Sequence, residues 1–67
     1  MRSLSRELEQ YRENGISLYL EGQPSTPRSI ARAYMVADDG VYMRDYTEDK
    51  RGKIARVNFD FIRLKEL

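Results

Sequence analysis

The chain contains neither cysteine nor histidine. Without cysteine there is no disulfide framework, no thiolate nucleophile and no zinc-ribbon or iron–sulfur site, so the fold must rest on packing or on self-association. Without histidine there is no imidazole base, no His–carboxylate dyad and no imidazole metal ligand, which removes the commonest hydrolytic and metal-hydrolase constellations. Charge of one sign is also lacking. Twelve Lys and Arg face eleven Asp and Glu, a net charge of +1, so no global field drives strong non-specific binding to DNA or membrane. No apolar run approaches the length of a membrane span. Met1-Arg2-Ser3-Leu4-Ser5-Arg6-Glu7 leads straight into charged, helix-forming sequence, unlike a secretory leader. The expectation is a cytoplasmic protein with no membrane attachment.

What is present is short. Sixty-seven residues make a single domain, 1–67, near the lower end of what folds without a disulfide or metal, and its core will be thin. Nine of the twelve cations are arginines, suited to bidentate phosphate or carboxylate contacts but equally to ordinary surface pairs.

The first element is predicted as a helix over about 3–14, with Leu4, Leu8 and Tyr11 forming one narrow apolar stripe. Ser3 or Ser5 can cap its start, and Asn14-Gly15 can end it. So narrow a stripe predicts a helix that detaches easily. A strand over about 16–20 follows, with Ile16, Leu18 and Leu20 inward, broken by Glu21-Gly22-Gln23-Pro24. Ser25-Thr26-Pro27 is a strong helix start, a hydroxyl cap before a proline at the first helical position. That second helix is predicted over about 27–37, with Ile30, Ala33, Tyr34 and Ala37 on one face and Asp38-Asp39-Gly40 as its exit.

The last third carries two alternating runs, about 41–47 and 53–62, around Asp49-Lys50-Arg51-Gly52. A four-residue loop places Gly52 where positive φ is wanted. It sets Glu48 opposite Lys53, Tyr46 opposite Ala55, Asp45 opposite Arg56, Arg44 opposite Val57 and Tyr42 opposite Phe59. Tyr42, Tyr46, Ala55, Val57, Phe59 and Phe61 then share a core face, and Arg44 must run its stem along the core rim to water or a carboxylate. One extra loop residue would turn Tyr42, Arg44, Tyr46 and Arg56 outward as a basic aromatic platform. That register sets Arg44 against Arg56, which disfavours it.

The order α-β-α-β-β predicts an α+β domain of two layers, with two helices on one face of a three-stranded mixed sheet. The last strand should be central, flanked by its hairpin partner and by the strand at 16–20. A strand, a crossover helix and a second strand imply a right-handed unit if both strands share the sheet.

Chemistry has little to stand on. Asp38-Asp39 with Asp45, Asp49 or Asp60 lacks calcium-loop spacing and reads as turn material. Glu7, Glu9 and Glu13 alternate with Arg6 and Arg12 as on a solvated helix face. The serines lack an activating base, and no glycine-rich phosphate loop occurs. A non-catalytic chain without cofactor or metal is therefore expected. Two binding readings remain. The favoured one is a protein-interaction or regulatory module, engaging another protein or a second copy through the edge strand at 41–47. Its candidate surface is Val41, Met43, Ile54, Arg56 and Ile62. The alternative is a nucleic-acid-binding protein that meets phosphates with Arg28 and Arg32 on the second helix and Lys50, Arg51 and Lys53 at the hairpin tip. It resembles a helix and wing, but a strand stands where a winged helix needs another helix, and Asp38, Asp39, Glu48 and Asp49 surround the surface.

Overall fold

The computed structural model describes residues 3–64; the predicted domain's remaining residues, 1–2 and 65–67, lie outside the described part. The chain folds as α1 (Leu4–Glu13), β1 (Ser17–Leu20), β2 (Gln23–Pro24), α2 (Pro27–Val36), β3 (Gly40–Glu48) and β4 (Ile54–Arg63). This is a small α+β domain whose mixed sheet has four strands, in the order β2-β1-β4-β3.

Local rules account for most of these elements. Ser3 caps α1, its Oγ accepting the Arg6 N–H at 3.2 Å. The helix ends with Gly15 at φ 76, the Ile16 N–H reaching back to the Tyr11 carbonyl and the Gly15 N–H to that of Arg12. Those two bonds satisfy carbonyls that the helix end would otherwise leave open. Thr26 caps α2 by accepting the Ser29 N–H at 3.1 Å, with Pro27 at the first helical position.

The predicted three-stranded sheet is corrected to four by a segment that reads as a breaker. Glu21 and Gly22 sit at φ 53 and 78, a two-residue turn that folds Gln23–Pro24 back on Tyr19 and Leu20. Positive φ at both positions matches the twist of a tight hairpin. Glutamate seldom occupies such a position, and proline argues against a strand, except at an edge. Glu21 is held there by β4: its N–H donates to the Phe59 carbonyl, and its carboxylate accepts the Phe61 N–H.

β4 is central, parallel to β1 and antiparallel to β3. The strand-helix-strand expectation needs amending, since β1 and β3 share the sheet but run in opposite directions with β4 between them. The handedness rule concerns parallel pairs, and here the parallel pair is β1 and β4.

The hairpin register also differs from the predicted one. Asp49 donates its N–H to the Lys53 carbonyl at 2.7 Å, so three residues, Lys50-Arg51-Gly52, make the turn, with Gly52 at φ 81. That moves the register by one residue, which alone would turn every side chain of one strand to the other face. A bulge at Ala55 moves it by one more: Glu48 pairs with Ile54, but Thr47 pairs with Arg56. Two single shifts restore the faces. Tyr42 thus lies opposite Phe61, Arg44 opposite Phe59 and Tyr46 opposite Val57, while Asp45 faces Asn58 instead of Arg56. The predicted Glu48–Lys53 and Asp45–Arg56 pairs are replaced, and the orientation of the predicted core face is kept. Of that face only Val57 and Phe59 are buried, with Tyr42 packed beside them. Tyr46, beyond the reach of the core near the hairpin end, is 44% exposed.

Both helices cover that face. Leu8 of α1, Ile30 of α2, Leu18 of β1, and Val57 and Phe59 of β4 are buried together. Leu4, Tyr11, Ile16, Leu20, Ala31, Tyr34 and Tyr42 pack around them. Gly40 opens β3 because a Cβ there would collide with the Ile62 carbonyl oxygen and the Phe61 ring. Its place is set by close packing, not by the exit turn in which the sequence placed it.

Candidate interaction surface

With both helices on one side, no element among the described residues covers the opposite face of the sheet. Ser17 and Tyr19 of β1, Arg56, Asn58, Asp60 and Ile62 of β4, and Val41, Met43, Asp45 and Thr47 of β3 share it by register. Val41 pairs with Ile62, and Met43 lies diagonally beside it. Val41 is 47% exposed and Met43 57%; together with the half-buried Ile62 they form an apolar stripe at the sheet margin. Arg56 stands on the same face, its guanidinium 4.8 Å from the Tyr19 ring centroid, a stacking contact between a cation and a negative ring face. Four of the five candidate residues are thus brought to one face. Ile54 is separated from them by the bulge: it sits opposite Glu48, on the other side of the alternation from Arg56.

The margin is itself an open edge. β3 is the terminal strand of the sheet, and the turn and cap hydrogen bonds do not engage the Val41–Glu48 backbone. An edge of this kind presents N–H and C=O groups to a further strand.

Behind the edge lies a polar cluster that the sequence did not reveal. Arg44 points to the helix side and makes a two-pronged ion pair with Glu7 of α1: Nη1 bonds Oε2, and Nη2 donates to Oε1 at 3.1 Å. The same Glu7 Oε2 accepts the Tyr11 hydroxyl at 3.0 Å, and the Tyr11 and Tyr46 hydroxyls lie 3.2 Å apart. The Arg44 guanidinium also lies 5.4 Å from the Phe59 ring centroid. The hydrogen bonds it donates to Glu7 hold the Arg44 guanidinium above its usual pKa range. Burial, aided by Tyr46 and Glu7, pushes the Tyr11 hydroxyl up, whereas the Tyr11 and Arg44 hydrogen bonds pull Tyr46 down.

The expected exit for Arg44 to a carboxylate is therefore met by Glu7, and Glu7 does not belong to the solvated face to which the charge alternation assigned it. Glu7 follows Leu4 by three residues and precedes Tyr11 by four, so it borders the apolar stripe. That spacing was the available signal.

The alternative contacts are split between two places. Lys50, Arg51 and Lys53 are exposed at the hairpin end, where the Asp49 carboxylate accepts the Arg51 and Lys53 N–H groups at 2.8 and 3.0 Å. Arg28 lines a groove of about 220 Å³ with Ser5 and Glu9 of α1, Pro27 and Ala31. Arg32 is exposed one turn further along α2. At the far end of α2, Val36, Asp38, Asp39, Tyr42 and Phe61 border a hollow of about 230 Å³. Among the described residues no group of three carboxylates is placed to hold a metal ion, and no helix is long and apolar enough to cross a membrane. No family model, no curated protein and no solved structure matches this chain.

Proposed function

We propose that this chain is a small non-catalytic interaction module that takes a partner's strand onto the β3 edge. The outer-face residues Val41, Met43, Arg56 and Ile62 would read the partner's side chains. The observation that carries the reading is the pairing of a nine-residue terminal strand with an exposed apolar stripe on its uncovered face. Strand addition draws affinity from main-chain hydrogen bonds and specificity from alternate side chains, and β3 offers both. The lack of histidine and cysteine supports binding over catalysis, and the lack of cysteine is in keeping with work in the reducing cytoplasm.

The test compares capture of binding proteins by the wild type, by Met43→Lys and by Arg28→Glu/Arg32→Glu, each first shown to be folded by circular dichroism. Partners lost with Met43→Lys and kept with the α2 variant are the expected result. The same partners on all three would sink the reading. Titration with short single- and double-stranded DNA and RNA at low salt addresses the alternative. Binding there that collapses with Arg28→Glu/Arg32→Glu, or with charge reversal at Lys50, Arg51 and Lys53, would turn the assignment to nucleic acid.

A further inference from the structure

Resting on the reading of β3 as a docking edge, we infer that its occupant is a second copy of this chain. The two β3 strands would pair antiparallel about a two-fold axis into one continuous eight-stranded sheet. Charge and symmetry favour this occupant. β3 runs from Gly40 to Glu48, with Asp38 and Asp39 immediately before it and Lys50, Arg51 and Lys53 just beyond. Its ends therefore differ in sign. At the hairpin end Glu48 accompanies the three cations, and the Asp49 carboxylate is turned onto the turn's own N–H groups. At the other end Arg63 lies opposite Gly40.

An antiparallel strand pair sets the first end of one copy against the second end of the other, so the acidic end meets the basic end twice. A two-fold contact is necessarily self-complementary, and a strand with opposite charges at its two ends meets that demand. Full overlap of the nine residues centres the axis on Arg44. Tyr42 then faces Tyr46 of the other copy on the helix side, and Asp38 falls opposite Lys50 of the other copy just past the strand. The two Arg44 side chains meet at the axis, but each is already neutralised by its own Glu7. On the outer face Val41 then lies opposite Thr47 and Met43 opposite Asp45 of the other copy, with the two Met43 side chains diagonal to one another beside the axis. No such pairing is available at the opposite edge, where the two-residue β2 ends in Pro24.

Sedimentation across a concentration series, combined with a charge swap, tests this. The wild type should rise from one to two chain masses and stop there. Asp38→Lys places like charges at both contacts of its own dimer, as does Lys50→Glu/Arg51→Glu. Each should need about tenfold more protein to dimerise. Mixed one to one, the two variants restore opposite charges at both contacts and should dimerise with each other as the wild type does with itself. All three sites are exposed, and circular dichroism checks that each variant is folded. Amides of Val41–Glu48 should gain exchange protection as the concentration rises. A wild type that stays monomeric, a mass that grows beyond two, or a mixture no better than its components overturns the self-pairing. If that occurs while Met43→Lys still abolishes capture of other proteins, the docking edge stands and only its occupant is wrong.

Discussion

The two edges of this sheet are handled in opposite ways. At one, β1 is covered by the two-residue β2, whose Pro24 has no N–H to offer and whose turn is fastened to β4 through Glu21. At the other, β3 runs for nine residues without a proline. Short edge strands, proline and inward-pointing charges are the means by which proteins prevent unwanted strand addition. β2 uses two of them, while β3 carries the inward Arg44, which Glu7 neutralises, and a bulge in its ladder at the hairpin end. One edge is thus blunted and the other left long. That contrast, more than any single residue, supports the proposal that β3 is the edge that takes a strand.

The largest way to break the contrast is to remove what both edges share. β4 pairs with β1 on one side and β3 on the other, and Phe59 at its middle is fully buried. Phe59→Ala should cost about 3–5 kcal/mol, enough to unfold so small a domain or nearly so. Urea denaturation checks this, and a loss below ~1 kcal/mol would mean that β4 is not the shared centre.

Next is the tie behind β3. Glu7 and Arg44 are 29% and 27% exposed, between the cases of a surface pair and a buried one. Glu7→Gln should therefore cost about 1–2 kcal/mol and leave Arg44 without its countercharge. Because Arg44 and Tyr46 join β3 to α1, amide exchange should quicken over Leu4–Glu13 while α2 keeps its protection. Equal quickening in both helices would show that the pair does not specifically hold α1.

The blunt edge offers a smaller but sharper test. Pro24→Val restores an N–H at an exposed edge position and should change stability by less than ~0.5 kcal/mol. Association should nonetheless extend beyond two chains in light scattering, since both edges could then accept a strand. Unchanged association would mean that β2 is closed by its length alone.

The smallest effect is a titration. Tyr11 is raised, so its contribution to stability is complete below the ordinary tyrosine value of about 10 and is lost as pH climbs through its higher folded value. Tyr46 is lowered, so its contribution appears above about 10 and is lost as pH falls through its folded value. The two oppose each other in stability but separate in tyrosinate absorbance. Tyr46 ionises before the ordinary value and Tyr11 after it. Tyr11→Phe should return Tyr46 toward the ordinary value, because the hydrogen bond shared with Tyr11 is the main cause of its shift. No movement in that variant would remove the Tyr11–Tyr46 contact from the cluster.

How much of this was legible beforehand differs from residue to residue. The caps at Ser3 and Thr26, the stop at Asn14-Gly15 and the left-handed Gly52 were readable because each depends on bonds between residues a few positions apart. Tyr42 as part of the core was readable from the alternation together with the turn at Gly52, which also sent Arg44 along the core rim to water or a carboxylate without choosing between them. Tyr46, on the same face, keeps its hydroxyl at an exposed margin. The bulge at Ala55, the hairpin at Glu21-Gly22 and the Glu7–Arg44 pair were not readable. Glu21 tolerates its unfavourable φ because Phe59 and Phe61, some forty positions away, hold it, and Glu7 finds Arg44 at a comparable distance along the chain.

The sequence by itself therefore determined both helices, the approximate places of three strands and which face of the hairpin turns to the core, since hydrogen bonds between near neighbours and the period of two act within a few residues. The tertiary structure alone decided the register, the fourth strand and the identity of the open edge. Those depend on which distant backbone and side-chain groups come to lie side by side, and several registers share the same alternation, so only packing against the helices and β4 selects one.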